Sequence, residues 1–311
     1  MREQFDRQLA RLRQELVSVY AEIDLQLHDA VDSLVCGDKE KARAVKKATR
    51  SIDQRCCALE DQAYNLIVLQ NPVASDLRLL QFVIYCNFNL ARMSNHVRNI
   101  AKTTKRCAGH NVPGQLLDLL ASQAHLVYRV LGATVQAIVD NDIAEAAELP
   151  ELDRPVDDIY KSFYRSFSRL SADDDIDAAS RVIMAARMLE RISDNSVEVG
   201  GRLVFLLTGN HEPLADLADM DEEEIEDLYV GQNAAFTLGV EKIERLANQI
   251  PEIEVGADSD PIVDDETIAE NMSQALRVAA KAAAQAKADK AAKKAQKSGA
   301  RADAQKGGDP R

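Results

Sequence analysis

Apolar residues recur at steps of three or four from the start of the chain: Phe5, Leu9, Leu12, Leu16, Tyr20, Ile23, Leu27, Val31 and Leu34. That period marks one face of an α-helix and predicts a first helix of about 30 residues. Cys36-Gly37-Asp38 reads as a stop followed by an N-cap, and a second helix runs to about Leu69, where Gln70-Asn71-Pro72 breaks it. Pro72 suits the first turn of a third helix carrying Leu77, Leu80, Val83, Ile84, Phe88, Met93, Val97 and Ile100. That helix runs to about Arg106, before Gly109 and Pro113-Gly114 close the unit.

The pattern then returns. A helix from Gln115 to Val139 ends at Asp140-Asn141-Asp142, the counterpart of Cys36-Gly37-Asp38 at an offset of 104 residues. Ala42 matches Ala146, and Asp53 matches Asp157, at the same offset. The third helices align at an offset of 99, which sets Leu90 over Leu189 and Arg92 over Arg191. An internal repeat of this length implies one supersecondary unit used twice. Short connections force neighbouring helices antiparallel, so each half is expected to be a three-helix bundle and the whole an all-α, pseudo-two-fold slab. The implied organisation is a first repeat over 1–110, a second over 111–210, an acidic linker with an extra helix over 211–250, and a linker with an Ala/Lys-rich disordered tail over 251–311. The extra helix is placed at Leu228 to Ile250.

Composition agrees with helix: Gly and Pro are scarce at 13 and 8, Trp is absent and aromatics are 5%. The net charge of −13 is divided unevenly, because residues 277–311 hold ten Lys or Arg against three Asp. That basic tail lacks aromatics to stack bases and a large apolar face to enter a bilayer. It is read as a disordered solubilising extension, with weak attraction to an anionic membrane surface as the functional alternative, and no nucleic-acid partner is expected. Five cysteines, with no CxxC pair and no His at a zinc-site spacing, fit a reducing compartment, and neither a signal sequence nor a membrane span is predicted. The adjacent Cys56 and Cys57 point in different directions on a helix and are expected to be idle thiols.

The sharpest candidate chemistry lies in the second repeat. Glu190, Asp194 and Glu198 fall at i, i+4 and i+8 on one helix face, and Asp153 and Asp157 repeat that step on the preceding helix, with Glu151 near. Clustered carboxylates persist where a cation compensates them, and an all-oxygen set suits a hard ion such as Mg²⁺, Mn²⁺, Ca²⁺ or iron. The competing reading is a solvated acidic face paired with Arg187 and Arg191. In the first repeat the equivalents are Ala91, Asn95, Asn99, Lys47 and Thr49, and Asp53 alone survives. Joint loss on two helices is what a single site would show. His96 beside Asn95 is read as a hydrogen-bonded residue before a ligand. Ser75, Asp76 and Arg78 are read as ordering the start of the third helix.

The stretches LQNPVASDLRLL (69–80), LARMSNHVRNIAKT (90–103) and ARMLERISDNSVEVGGRLVFLLTGN (186–210) resemble the PhoU family of phosphate-transport regulators. The resemblance covers about residues 1–210. It implies two three-helix repeats, each with a Glu/Asp-x-x-x-Asp motif on its third helix. It also implies a cytoplasmic, non-enzymatic protein that binds the ATPase subunit of a phosphate ABC transporter and a sensor histidine kinase, and represses the phosphate-starvation response when phosphate is plentiful. A homodimer and multinuclear metal sites on the bundle surface belong to the same expectation. Because the first motif reads Ala91-x-x-x-Asn95, metal (iron, manganese, magnesium or zinc) is expected in the second repeat only, at Glu190, Asp194, Glu198, Asp153, Asp157 and Glu151. Pro155, between Asp153 and Asp157, is expected to kink that helix and turn Glu151 and Asp153 away. Two other classes stay open. One is a paralogue or scaffold serving another transporter; the other is a carboxylate-bridged di-iron enzyme, for which no His has Glu three positions before it.

Overall fold

The same turn is built twice. Gly37 and Asn141 both take left-handed backbone, with φ of 69° and 53°. The N–H groups of Asp38 and Asp142 reach back to the carbonyls of Ser33 and Ala137 at 2.8 and 3.0 Å. This is the Schellman arrangement, which satisfies carbonyls that the end of a helix leaves open. Each aspartate then caps the following helix: Asp38 accepts from the N–H groups of Glu40 and Lys41, and Asp142 accepts from that of Glu145. One residue pair thus ends a helix, reverses the chain and starts the next.

The computed structural model describes residues 2–228 apart from 73, 172, 173, 212, 219, 221–223, 226 and 227. The helices are α1 (Arg2–Val35), α2 (Lys39–Gln70), α3 (Ala74–Cys107), α4 (Gly114–Asp140), α5 (Ile143–Ala147), α6 (Leu149–Phe167), α7 (Ile176–Thr208) and α8 (Leu214–Leu217). The fold is all-α, as the periodicity predicts. One element departs from it: the middle helix of the second repeat is divided into α5 and α6 at Glu148, with Leu149 and Pro150 opening α6. Pro150 fits there because the first turn of a helix has free N–H positions. The acidic stretch after Gly209 holds the short α8, whose Leu217 is fully buried. The extra helix expected over 228–250 and the basic tail lie outside the described residues.

Helices α1, α2 and α3 pack as one bundle and α4, α6 and α7 as another. The two join through α3 against α7 and α1 against α4, which leaves α2 and α6 on opposite flanks. The core follows the α1 stripe through Leu9, Leu16, Ile23 and Leu27, all fully buried, and continues through Leu90, Met93 and Ile100 of α3. Each such side chain contributes about 1.5–3 kcal/mol relative to exposure. At the seam the buried Tyr20 hydroxyl donates to Ser196 Oγ at 2.8 Å. Contacts of Tyr85 with Glu198 and of His110 with Asp175 show that α3 and α7 run antiparallel. At Gly200 α7 lies close to the α5–α6 junction, where a Cβ would displace the end of the Leu149 side chain. Among the described residues no helix is long and apolar enough to cross a membrane.

Candidate functional site

The acidic cleft of the second repeat is made by two helices. Helix α6 supplies Asp153 and Asp157, one turn apart, and α7 supplies Glu190 and Asp194, again one turn apart. Asp153 faces α7, where its Oδ1 accepts the Ser193 hydroxyl. Burial pushes the Asp153 carboxyl up to about 6, and the charges of Asp194 and Asp157 push the same way while Ser193 opposes. Glu190 is buried, and its carboxyl is raised first by burial and then by Asp194, with Asp157 adding and Arg187 and Arg191 opposing. Its Oε1 accepts from Arg187, while its buried Oε2 has no hydrogen-bond donor and lies 3.7 Å from Arg191 Nε. Asp194 is raised by burial above all and pairs with Arg191 at 3.3 Å.

These four carboxylates therefore share one electrostatic environment with two arginines. The remaining expected ligands fall elsewhere. Glu198 is exposed at the edge of the cleft and accepts the Tyr85 hydroxyl of α3 at 3.2 Å. Glu151 is exposed and pairs with Arg154, three residues on. Pro155 sits inside α6, yet only Glu151 is turned away; Asp153 remains on the cleft side through Ser193.

Both readings of the acidic face have a foothold here. Arg187 and Arg191 answer part of the negative charge. Burial first, and the neighbouring carboxylates after it, raise Asp153, Glu190 and Asp194, and one Glu190 oxygen has no hydrogen-bond donor. In chemistry the oxygen set fits a hard cation. In position, no three ligating side chains among the described residues converge on one point.

The first repeat shows what replaces the carboxylates. Ser94, the counterpart of Ser193, donates to the Thr49 carbonyl at 3.2 Å and to Asp53 Oδ1 at 3.0 Å. Arg98, one turn further along α3, donates to Thr49 Oγ1 at 3.1 Å and to the Thr49 carbonyl at 3.0 Å, and forms an ion pair with Asp53. A guanidinium thus neutralises the one surviving aspartate from within the chain. Arg98 was missed by spacing arguments built on acids; its signal is a basic residue where the second repeat has Val197.

The other residues singled out by sequence have plainer roles. His96 is half-buried, and burial with Arg92 and Arg191 nearby holds its pKa down. Asp76 is buried and accepts both terminal nitrogens of Arg2, at 2.6 and 3.2 Å, which ties α3 to α1. Cys56 is buried, which raises its thiol to about 12, while its neighbour Cys57 is exposed.

A family model described as the PhoU domain matches the chain twice, over residues 16–104 and 120–203. The phosphate-specific transport system accessory protein PhoU homolog 1 of Methanothermobacter thermautotrophicus is 30% identical over 207 residues, covering 66% of this chain and 94% of that protein. The PhoU homolog of Clostridium acetobutylicum is 25% identical over 218 residues, covering 68% and 98%. Among solved structures, PhoU from Pseudomonas aeruginosa aligns with a TM-score of 0.62 at 23% identity, covering 66% of this chain and all of that one. The phosphate transport system regulatory protein PhoU from Streptococcus pneumoniae aligns with a TM-score of 0.61, also at 23% identity, covering 67% and 99%. At that identity the likeness is one of fold.

Proposed function

The chain belongs to the PhoU family, and from that premise we propose that it is a non-enzymatic regulator of phosphate uptake and phosphate signalling. It binds the ATPase subunit of a phosphate ABC transporter and a sensor histidine kinase in the cytoplasm, and holds the starvation response off when phosphate is plentiful. The observation that carries this reading is the match of both repeats to one domain in relatives named as accessory proteins of phosphate-specific transport. A docking role also agrees with an open apolar groove between α2 and α3, about 540 Å³ in volume and bordered by Tyr64, Ile67, Leu77, Ile84 and Phe88. Exposed apolar surface of that kind suits a protein partner or the second subunit of a homodimer. Affinity capture from phosphate-replete cells, read by mass spectrometry, is expected to enrich the transporter ATPase or the kinase. Repeated capture that enriches neither overturns the proposal.

Within that reading, Asp153, Asp157, Glu190 and Asp194 would have to turn towards one another to hold a hard metal ion, with Glu198 at the rim. Bound there, the ion would supply positive charge and tie α6 to α7. Replacing Glu190 and Asp194 together by Ala is expected to remove metal measured by elemental analysis while far-UV circular dichroism stays unchanged. Equal metal content in the wild type and the double variant ends the idea. The changed first-repeat cleft, with Arg98 on Asp53, favours a second reading: a paralogue or scaffold that serves another transporter. Neighbouring genes that encode no phosphate transporter and no kinase would favour it.

A further inference from the structure

Beside the first-repeat counterpart of the acidic cleft, one turn towards the start of α2, the charge is positive. Arg43, Lys46, Lys47 and Arg50 line a shallow concavity of about 150 Å³ on α2. Their spacing of i, i+3, i+4 and i+7 places them along one helix face. From α3, Arg98, Lys102 and Arg106 approach the same face: the ammonium of Lys102 is held down by burial first, then by Arg98, Lys46 and Arg106. Compensation is thin. Arg43 pairs with Glu40 and Arg98 with Asp53. Among the described residues, Lys46, Lys47, Arg50, Lys102 and Arg106 form no ion pair with a carboxylate, and Lys102 bonds only the Asn99 amide oxygen. A chain with a net charge of −13 therefore gathers uncompensated cations on one face.

Like charges so placed repel, and the repulsion is relieved by an anion that touches several at once. We propose that this face binds a soluble linear chain of condensed phosphates. The row from Arg43 to Arg50 spans about 10 Å of helix, and α3 adds a second row beside it. One orthophosphate reaches only part of such a double row, whereas a chain of three or more phosphates runs along it. Arginine forks and lysine ammonium groups are the side chains that take phosphate oxygens. Among the described residues the exposed large apolar side chains all lie outside residues 39–50 and 98–106, so this face has nothing to stack bases or enter a bilayer. The inference rests on the charge geometry of the first repeat, and it survives or fails independently of the metal and partner readings above.

Titration calorimetry of the full chain with orthophosphate, tripolyphosphate and long-chain polyphosphate tests it. Affinity is expected to rise with chain length. Lys46→Glu, Lys47→Glu and Arg50→Glu combined are expected to weaken tripolyphosphate binding at least about tenfold. These side chains project from the surface of α2, so circular dichroism and melting should stay as in the wild type; Lys46→Gln with Lys47→Gln is the milder variant and should weaken binding in the same direction. Unchanged affinity in both variants overturns the proposal, because the cations elsewhere, including those of residues 277–311, would then carry the binding. Polyglutamate of matched charge binding as tightly as tripolyphosphate overturns it too, as does binding confined to vesicles containing phosphatidylglycerol.

Discussion

Asp24 of α1 is a largely buried acid, its side chain 14% exposed, and its Oδ1 has no hydrogen-bond partner. It faces His28 of its own helix at 4.0 Å, with Tyr20 beside it and Tyr128 and His125 approaching from α4. Burial lifts its carboxyl from 3.8 to about 7. A native proton affinity above the ordinary value means that this group's contribution is fully present below pH 3.8 and is lost as pH rises through 7. Asp24→Asn is therefore expected to stabilise the protein at pH 8, by no more than about 4 kcal/mol, and to have little effect near pH 4. Urea unfolding of both proteins at the two pH values measures this, and equal stability at pH 8 would refute it. Asp24 was not legible as a site, because beside Ile23 and Leu27 it reads as the polar edge of an amphipathic stripe. That edge is buried because α1 packs on α4 as well as on α2 and α3. That Asp153, Asp157, Glu190 and Asp194 line one cleft was legible from their one-turn spacing. Glu151 was not separable from them, since its direction depends on the break before α6, and Arg98 was invisible to a search for acids.

The helices themselves followed from local chemistry, and their ends show why. The stop-and-cap reading of Cys36-Gly37-Asp38 and Asp140-Asn141-Asp142 corresponds to left-handed residues followed by capping aspartates in both repeats. The cap at Asp38 is exposed and serves two N–H groups, so its value can be isolated. Asp38→Ala is expected to lower stability by about 1 kcal/mol and Asp38→Asn to leave it nearly unchanged; chemical denaturation that ranks the two alike would refute the capping account. The division between α5 and α6 was less legible. Periodicity carries straight through it, since Ile143, Ala146, Leu149 and Val156 are all buried. The signal was Pro150, which suits a helix start and which the repeat alignment passes over, because Lys46 stands in its place in α2. Pro155, expected to bend the helix, is carried within α6 with Asp153 still facing α7.

At the scale of the whole molecule, the duplication was legible and the way its two copies join was not. Joining depends on second faces of α1, α3, α4 and α7, which carry mixed small and polar residues and give no clean stripe. The seam is built from those faces. Tyr20 reaches Ser196, and Tyr85 stacks under Arg202 at 4.0 Å while donating to Glu198. Arg13 of α1 donates to Asn141 at the end of α4 at 2.8 Å. Each contact spans more than a hundred residues of sequence, and the Tyr20–Ser196 bond is fully buried, so neither half keeps its packing when the other unfolds. The seam includes the third helix of each repeat, whose other side packs within its own bundle, and disruption on one side passes into the core on the other. Calorimetry of the full chain is therefore expected to give one unfolding transition for residues 2–208, with calorimetric and van't Hoff enthalpies in agreement. A chain ended after residue 112 is expected to lack that transition, because Tyr20 would then lie on an open face instead of in a seam with α4 and α7. Two resolved transitions in the full chain, or a shortened chain that melts as sharply as the whole, would show that the repeats are independent units and that the seam is only a contact between them.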